Sequence, residues 1–428
     1  MAVTIRASML YDCSWQLMLT HMDGRERFLN PDTADGVEYE EDLTDGSAVR
    51  GTRIHVCVRL RPLIEEDYKL AALPKNSPEI CVHLKSDGQT VKLTKDHFST
   101  KLIRLDRTFD ATCTQQEVYQ SSFKMIVDEV ISGFNGTGLV YGQTGSGKSH
   151  TMFGSGGDPG IVHLAVCDIF DCSRTHASKG LVANVYLSFY QLYLDQAVDL
   201  LVQQSDNQRT GSVKLSIRED AVRGAYVENL NEVLVEDELK SLKLLRRGLQ
   251  NRHVQSTLYN IKSSRSHAIL QIHMDLEETS CTPTTIEGSA RGLDRQVSIR
   301  RRTLTLVDLA GSERVNTYHS KSKAHLREAV AINKSISSLG NCIQALAQIS
   351  HQQSDITHVE GYSYNGHAKK VFTRSSASTV HIPYRDTKLT WLLAEPLGGN
   401  SKTCIIVNIG PCVYNYEDTK STLEFAAR

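Results

Sequence analysis

The ten cysteines contain no C-x-x-C pair, and the formal net charge is only −1. No run of about 18 apolar residues occurs anywhere, as a membrane-crossing helix would require. No guanine-selecting N-K-x-D motif appears either. Each absence excludes something. Scattered cysteines, with Cys57, Cys167, Cys342 and Cys404 inside apolar runs, argue against a disulfide framework or a zinc site. They fit reduced core thiols in a cytosolic protein. A near-neutral chain has no global field pulling it to nucleic acid or to a membrane surface, so a polyanionic partner must be met by a local basic patch. The opening MAVTIRASMLYDCSW lacks a long apolar core and a cleavage-like site, which argues against a signal peptide.

What is present is ordinary in bulk and specific in detail. At 40% hydrophobic and 23% charged residues the composition is that of a soluble globular protein. The 428 residues exceed a usual single domain, but one large α/β domain with insertions absorbs them.

Gly142 to Ser149 reads GQTGSGKS, the pattern G-x-x-x-x-G-K-[ST] of a phosphate-binding loop. Its glycines let the backbone wrap an anion so that amide N–H groups point inward. A helix starting near Gly147 adds its positive end. Gln143, Thr144, Gly145, Ser146 and Gly147 form the cradle, Lys148 neutralises the β/γ-phosphates, and the Ser149 hydroxyl serves Mg²⁺. The apolar run Gly138–Tyr141 is the expected feeding strand.

Residues 1 to about 50 read as a flexible appendage whose second half is acidic (Asp32, Asp35, Glu38, Glu40, Glu41, Asp42, Asp45). Residues 51–428 read as one domain. Ile54–Arg61 is a strand stopped by Pro62, and 64 to 106 is an irregular meander. Thr114 to Ile131 has helical spacing, with Thr114 and Glu117 as a capping box. Helices are expected at 161–170, 237–251, 329–346, 386–394 and 416–427. Strands are expected at 182–192, 215–219, 226–235, 268–274, 304–309 and 403–409. Residues 279 to 300 suit a solvated hairpin loop, and 350 to 380 a long loop. Strands alternating with helices imply an α/β layer with helices on both faces and the phosphate loop at the carboxyl edge of the sheet.

Two further stretches have the chemistry to sense a γ-phosphate. Asn260 to His267 (NIKSSRSH) packs hydroxyls, an Arg and an Asn just before a strand. Asp308 to Glu313 (DLAGSE) follows an apolar strand, which puts Asp308 where a carboxylate holds water on Mg²⁺. Gly311 can turn its N–H to the γ-phosphate. Arg265 and Glu313 carry opposite charges and are expected to latch the two loops together.

GQTGSGKS, NIKSSRSH and DLAGSE, in this order, resemble the kinesin motor domain. The resemblance runs from about Ile54 to Arg428 and includes VRLRP (58–62), LSIREDAVRGAYVENL (215–230), LREAVAINKSISSL (326–339), HIPYRDTKLT (381–390), LGGNSKT (397–403) and STLEFAAR (421–428). It implies a P-loop NTPase-type, mostly parallel eight-stranded sheet with three helices on each face. It also implies ATP and Mg²⁺ as ligands, ATP hydrolysis as the reaction, and the microtubule as partner. Arg59, Arg61, Pro62 and His150 match positions that frame the base. Ser264, with Ser149 and Asp308, matches the Mg²⁺ set. Ser263 and Arg265 match residues around the attacking water, and Gly311 and Glu313 the second switch. Asn333 matches a relay-helix residue that contacts the switch. Arg385 and Lys388 fall on the family's track-binding loop and helix. Localisation follows as cytoplasmic and cytoskeletal.

The chain departs from the family at Val315–Lys323, which lacks the usual Gly, at a long insertion over 348–380 carrying Lys369, Lys370 and Arg374, and at an extended loop near 279–300. The chain stops at Arg428, about where the family's neck begins, so any homodimer would form through a region beyond it. Three readings remain open at this point: a microtubule-stimulated ATPase that moves along microtubules or regulates their ends, a nucleotide-gated tether without useful turnover, and, weakest, a GTPase-like switch.

Overall fold

The computed structural model describes residues 4–9, 15–20, 26–28, 54–70, 78–96, 99–178, 182–202, 214–220, 224–258, 263–284, 292–313, 323–354, 380–399 and 401–428. Two compact units separate at residue 48. In the first, Thr4–Met9, Trp15–Thr20 and Glu26–Phe28 pair as a three-stranded antiparallel sheet. This part of the chain was expected to be a flexible appendage. Alternation in TIRASM and WQLMLT supports pairing there, and the acidic stretch 32–45 lies outside the described residues.

The second unit is built on a ten-stranded sheet. Its order is Lys214–Leu215, Gln196–Asp199, Val182–Tyr193, His267–Thr284, Gly292–Asp308, Asn135–Tyr141, Ser401–Ile409, His55–Leu60 and Arg107–Phe109, with Val233–Val235 also paired to Val182–Tyr193. The α/β architecture is as expected, but the sheet is mixed rather than mostly parallel and has ten strands rather than eight. The last five strands in that order run parallel to one another, and the first five form an antiparallel half. Two of its pairings are hairpins, Val182–Tyr193 with Gln196–Asp199 and His267–Thr284 with Gly292–Asp308, and a hairpin joins antiparallel strands directly.

Helices cover both faces. On one, Gln115–Gln120, Lys124–Ser132, Lys148–Phe153, Ile161–Ser178 and Glu238–Leu258 bury a core around Phe123, Ile126, Ile169 and Phe189. On the other, Lys323–Ser354, Lys388–Leu392 and Tyr416–Ala426 bury Leu139, Leu339, Leu389 and Leu423. The capping box is present: Thr114 accepts from the Glu117 amide, and the Glu117 carboxylate accepts from the Thr114 amide. The helix it starts ends at Gln120, and a second begins at Lys124, so the expected single helix is broken.

Three more expectations are corrected. The meander contains the short helix Glu65–Leu70 and a sheet of Val82–Leu84, Thr90–Asp96 and Ser99–Arg104. The hairpin at 279–300 is strand for most of its length, because His267–Thr284 and Gly292–Asp308 stay in register from Ala268↔Asp308 to Thr284↔Gly292. The helix preceding the 348–380 insertion runs on to Ser354. Residues 314–322 and 355–379, which include Lys369, Lys370 and Arg374, lie outside the described residues.

A buried ion pair fixes the edge that carries the site. Arg61 grips Asp67 with both terminal nitrogens, Nη2 reaching Oδ1 at 2.7 Å, and Tyr414 donates to the same carboxylate. Burial pushes the Asp67 pKa up, but the pair and the hydroxyl pull it down from 3.8 to about 2. A carboxyl depressed in the folded state stabilises fully above its unfolded value, and that contribution fades only as pH falls through about 2. Asp67→Ala would strand the guanidinium in the interior and cost about 3 kcal/mol. Denaturant unfolding at neutral pH checks this; an unchanged midpoint would remove the pair from the stability account.

Candidate active site

Four neighbouring parallel strands present their carboxyl ends on one edge. Val140 is level with Asp308 and with Ile406, and Arg59 is level with Asn408. The loop 142–149, Asp308, Asn408 and Arg59 therefore meet there, at the crevice where α/β sheets bind ligands. His267–Thr284 runs antiparallel to Gly292–Asp308, so its amino end, and the 3₁₀ turn Ser263–Arg265 before it, reach the same edge.

The loop has the expected conformation. Gly142, Gly145 and Gly147 have φ of 144°, 77° and 96°, values that side chains resist. A Cβ on Gly142 would lie 2.2 Å from the Asn408 carbonyl oxygen. Ser146 donates its hydroxyl to the Gln143 carbonyl at 2.7 Å, closing the loop on itself. Gly147 caps the helix Lys148–Phe153. Lys148 is buried and donates to the carbonyls of Gly142 and Gln143, both at 2.8 Å. Burial lowers its pKa, and Asp308 and Glu313 oppose that shift. The ammonium is thus held at the loop's mouth by weak neutral acceptors that an anion would displace.

Asp308 is the centre. Its Oδ2 accepts from the Ser149 hydroxyl at 2.7 Å and from Arg252 Nη1 at 2.9 Å, and Arg252 also donates to the Ser266 carbonyl at 3.1 Å. The other oxygen, Oδ1, is buried and has no partner among the described residues. An orphaned carboxylate oxygen beside a serine hydroxyl is an all-oxygen donor set suited to a hard divalent cation such as Mg²⁺. Ser149 and Asp308 fit that role. Ser264 meets the second stretch instead, its carbonyl accepting from the Gly311 amide at 2.8 Å.

The two switch stretches are joined to the loop. The Ser312 amide donates to the Gly142 carbonyl at 3.1 Å, and the Thr144 amide to Glu313 Oε2 at 2.8 Å, with the Thr144 hydroxyl on the other oxygen. A Cβ on Gly311 would lie 2.1 Å from Glu313 Oε2, so a side chain there would have to push the Glu313 carboxylate aside. Arg265 does not meet Glu313. It pairs with Glu328 of the helix Lys323–Ser354, and Glu328 also accepts from Tyr193 at 3.0 Å. The expected latch is therefore unmade in this conformation, each partner being held elsewhere. Ser263 opens the 3₁₀ turn.

Arg59 and Arg61 flank the loop. Arg59 Nη1 donates to Gln115 at 2.6 Å and to Thr151 at 3.0 Å. Arg61 Nε donates to the Gly145 carbonyl at 2.8 Å and Nη1 to the Pro62 carbonyl at 2.9 Å. His150 receives Gln115 on its carbonyl at 2.6 Å, and burial lowers its ring pKa.

His267 links the site to the long helix. Its Nδ1 accepts from the Ala310 amide at 3.1 Å, so the proton sits on Nε2, which donates to Ser335 at 3.0 Å. Burial lowers its pKa to about 3, keeping the ring neutral. Ser335, two residues from Asn333, thus joins Glu328 as a helix residue that touches the switch region.

Reading the sequence alone missed Arg252, Glu328, Tyr193 and Asn408. Arg252 and Glu328 carried a signal. Leu242, Leu245, Leu249 and Arg252 share one helical stripe, as do Glu328, Ile332 and Ile336. A charge on an apolar stripe must find a buried partner.

Arg385 and Lys388 lie away from this edge. The Arg385 side chain is 78% exposed, pairs with Glu219 at 2.7 Å, and lies over the Trp391 ring. The Lys388 amide opens the helix Lys388–Leu392 and donates to Asp195 at 3.3 Å.

The kinesin motor domain family model matches residues 59–428. The rice (Oryza sativa subsp. japonica) kinesin-like protein KIN-7L is 37% identical over 324 residues, 76% of this chain and 43% of that protein. KIN-7N of Arabidopsis thaliana is 37% identical over 379 residues, 88% of this chain and 39% of that protein. The kinesin heavy chain of Drosophila melanogaster is 34% identical over 384 residues, 88% and 32% respectively. The chain therefore spans less than half the length of these relatives. Among solved structures, a fast kinesin superposes with TM-score 0.68 at 32% identity, covering 88% of this chain and 90% of that one. A KIF14 dimer bound with AMP-PNP to a microtubule gives 0.67 at 30% identity, covering 88% and 93%. By these matches the chain belongs to the kinesin motor domain family.

Proposed function

We propose that this chain is a microtubule-stimulated ATPase that couples ATP binding and hydrolysis to movement along microtubules or to regulation of their ends. The observation that carries the reading is the convergence on Asp308. The phosphate-loop helix, through Ser149, and the helix leading to the first switch, through Arg252, end on one carboxylate beside the second switch. A γ-phosphate arriving at this point touches all three at once.

In this reading Gln143 to Gly147 cradle the phosphates, and Lys148 leaves its two carbonyl acceptors for the β/γ-oxygens. Arg59, Arg61, Pro62 and His150 frame the base. Ser149, Ser264 and Asp308 hold Mg²⁺, which when bound neutralises charge on the phosphate oxygens. The Gly311 amide turns from the Ser264 carbonyl to the γ-phosphate. Glu313 leaves Thr144 and Arg265 leaves Glu328, and the two pair so that, with Ser263, they align the water. Glu313 accepts the water's proton through a relay. Positioning and charge stabilisation account for most of the rate, because phosphoryl transfer leaves little covalent work.

Turnover measured with and without microtubules tests the assignment. Wild-type chain should be stimulated, and Lys148→Ala should lose ATP binding in both conditions. Nucleotide-dependent co-sedimentation without any hydrolysis would leave a tether instead of an ATPase.

Arg265→Ala and Glu313→Ala should each lower microtubule-stimulated turnover by roughly 100-fold or more, with ATP binding retained. Normal stimulated rates in either variant would remove the latch from the mechanism.

For the track, we place Arg385 and Lys388 on the contact surface, where they meet acidic tubulin. Charge reversal of both, Arg385→Glu with Lys388→Glu, should weaken co-sedimentation about tenfold at low salt and less at high salt. Equal binding at every salt concentration would place the contact elsewhere.

A further inference from the structure

Away from the nucleotide edge, His163 and Cys167 lie one turn apart on the helix Ile161–Ser178, and Glu238 begins the helix Glu238–Leu258 that packs beside it. One ligand atom of each, the imidazole nitrogen, the thiol sulfur and a carboxylate oxygen, lies within 4.8 Å of the other two. Cys167 donates its S–H to Glu238 Oε1 at 3.1 Å. All three side chains are half-buried, so an ion can enter from solvent and yet lose most of its water on binding. Asp168 and Asp171 stand close enough to Cys167 to add negative potential.

We infer that His163, Cys167 and Glu238 form a binding site for a zinc-class divalent cation, with water as the fourth ligand. Nitrogen, sulfur and oxygen donors together select zinc over magnesium, which takes oxygen alone. Tetrahedral zinc places its ligands roughly 3.3–3.6 Å apart. Side-chain rotations of about 1 Å bring the trio to that spacing, and the i,i+4 pair on one helix already fixes two of them. On binding, the thiol releases its proton to solvent, and the sulfur–metal bond replaces the S–H···O contact. The site is distinct from the Ser149–Asp308 set, which has no nitrogen or sulfur donor. Its place in the fold gives it leverage. One helix follows the phosphate-loop segment, and the other carries Arg252 to Asp308 and ends before the first switch. A bound ion would cross-link the two near the start of both.

Cobalt(II) alone, titrated into the full chain after stripping with chelator, reads the site directly through its thiolate charge-transfer band. One equivalent should raise that band, and Cys167→Ser should abolish it. Zinc alone should then displace the cobalt and raise the unfolding temperature of the wild-type chain, but not of Cys167→Ser. Should Cys167→Ser fail to fold, His163→Ala and Glu238→Gln decide: each should weaken zinc binding at least tenfold, measured by competition with a chromophoric chelator. Absence of the band in the wild-type chain overturns the proposal. So does a band or a zinc affinity left unchanged by these substitutions, which would place the metal on other thiols.

Discussion

A carboxylate sealed from water has to be matched by cations or hydrogen-bond donors, and at Asp308 that requirement organises the molecule. Asp308 is buried at the end of its strand, and one of its oxygens takes both the Ser149 hydroxyl and the Arg252 guanidinium. Those donors arrive from two helices on the same face of the sheet, separated in sequence by the whole stretch from the phosphate loop to the first switch. The strand, the loop helix and the switch helix must therefore be in place together before any one of them is satisfied. Leaving the guanidinium or the carboxylate alone would cost several kcal/mol. The same carboxylate keeps its second oxygen buried without a partner among the described residues.

The switches hang on this centre through backbone contacts. Gly311 reaches Ser264 and Ser312 reaches Gly142, so the first switch, the second switch and the loop form one hydrogen-bonded chain. Glu313 and Arg265 occupy substitute partners at its two ends, Thr144 and Glu328. Both side chains therefore keep hydrogen-bond partners while the latch is open.

The loop, the serine-arginine stretch and the Asp-Gly-Glu stretch were readable in the sequence because their chemistry is contiguous: glycines, hydroxyls and charges that act together lie within eight residues. The alternating strand–helix pattern likewise gave the layered fold. What escaped depended on distance along the chain. Arg252 finds Asp308 across 56 residues, and Cys167 finds Glu238 across 71. No local pattern names such partners, although a charge on a leucine stripe shows that one exists. The far part of the hairpin, from Thr279 to Val297, reads as loop because its sequence is mostly polar and lacks the apolar alternation of a half-buried strand. The mixed sheet escaped for a related reason, since strand direction depends on connections rather than on composition.

The helix Lys323–Ser354 is fastened to the switch region at two points, by Glu328 to Arg265 and by Ser335 to His267. Beyond Ser335 its backbone continues 19 residues to Ser354, about 28 Å at the helical rise. Packed on the sheet through Leu339 and Ile343 as well, it can move only as one rod, with a short arm and a long one about those fastenings. A pivot of about 10° at those fastenings, the scale of a side chain exchanging partners, would sweep the distal tip through about 5 Å. On the proposed reading, a small displacement at the phosphate edge would be enlarged by the length of the helix.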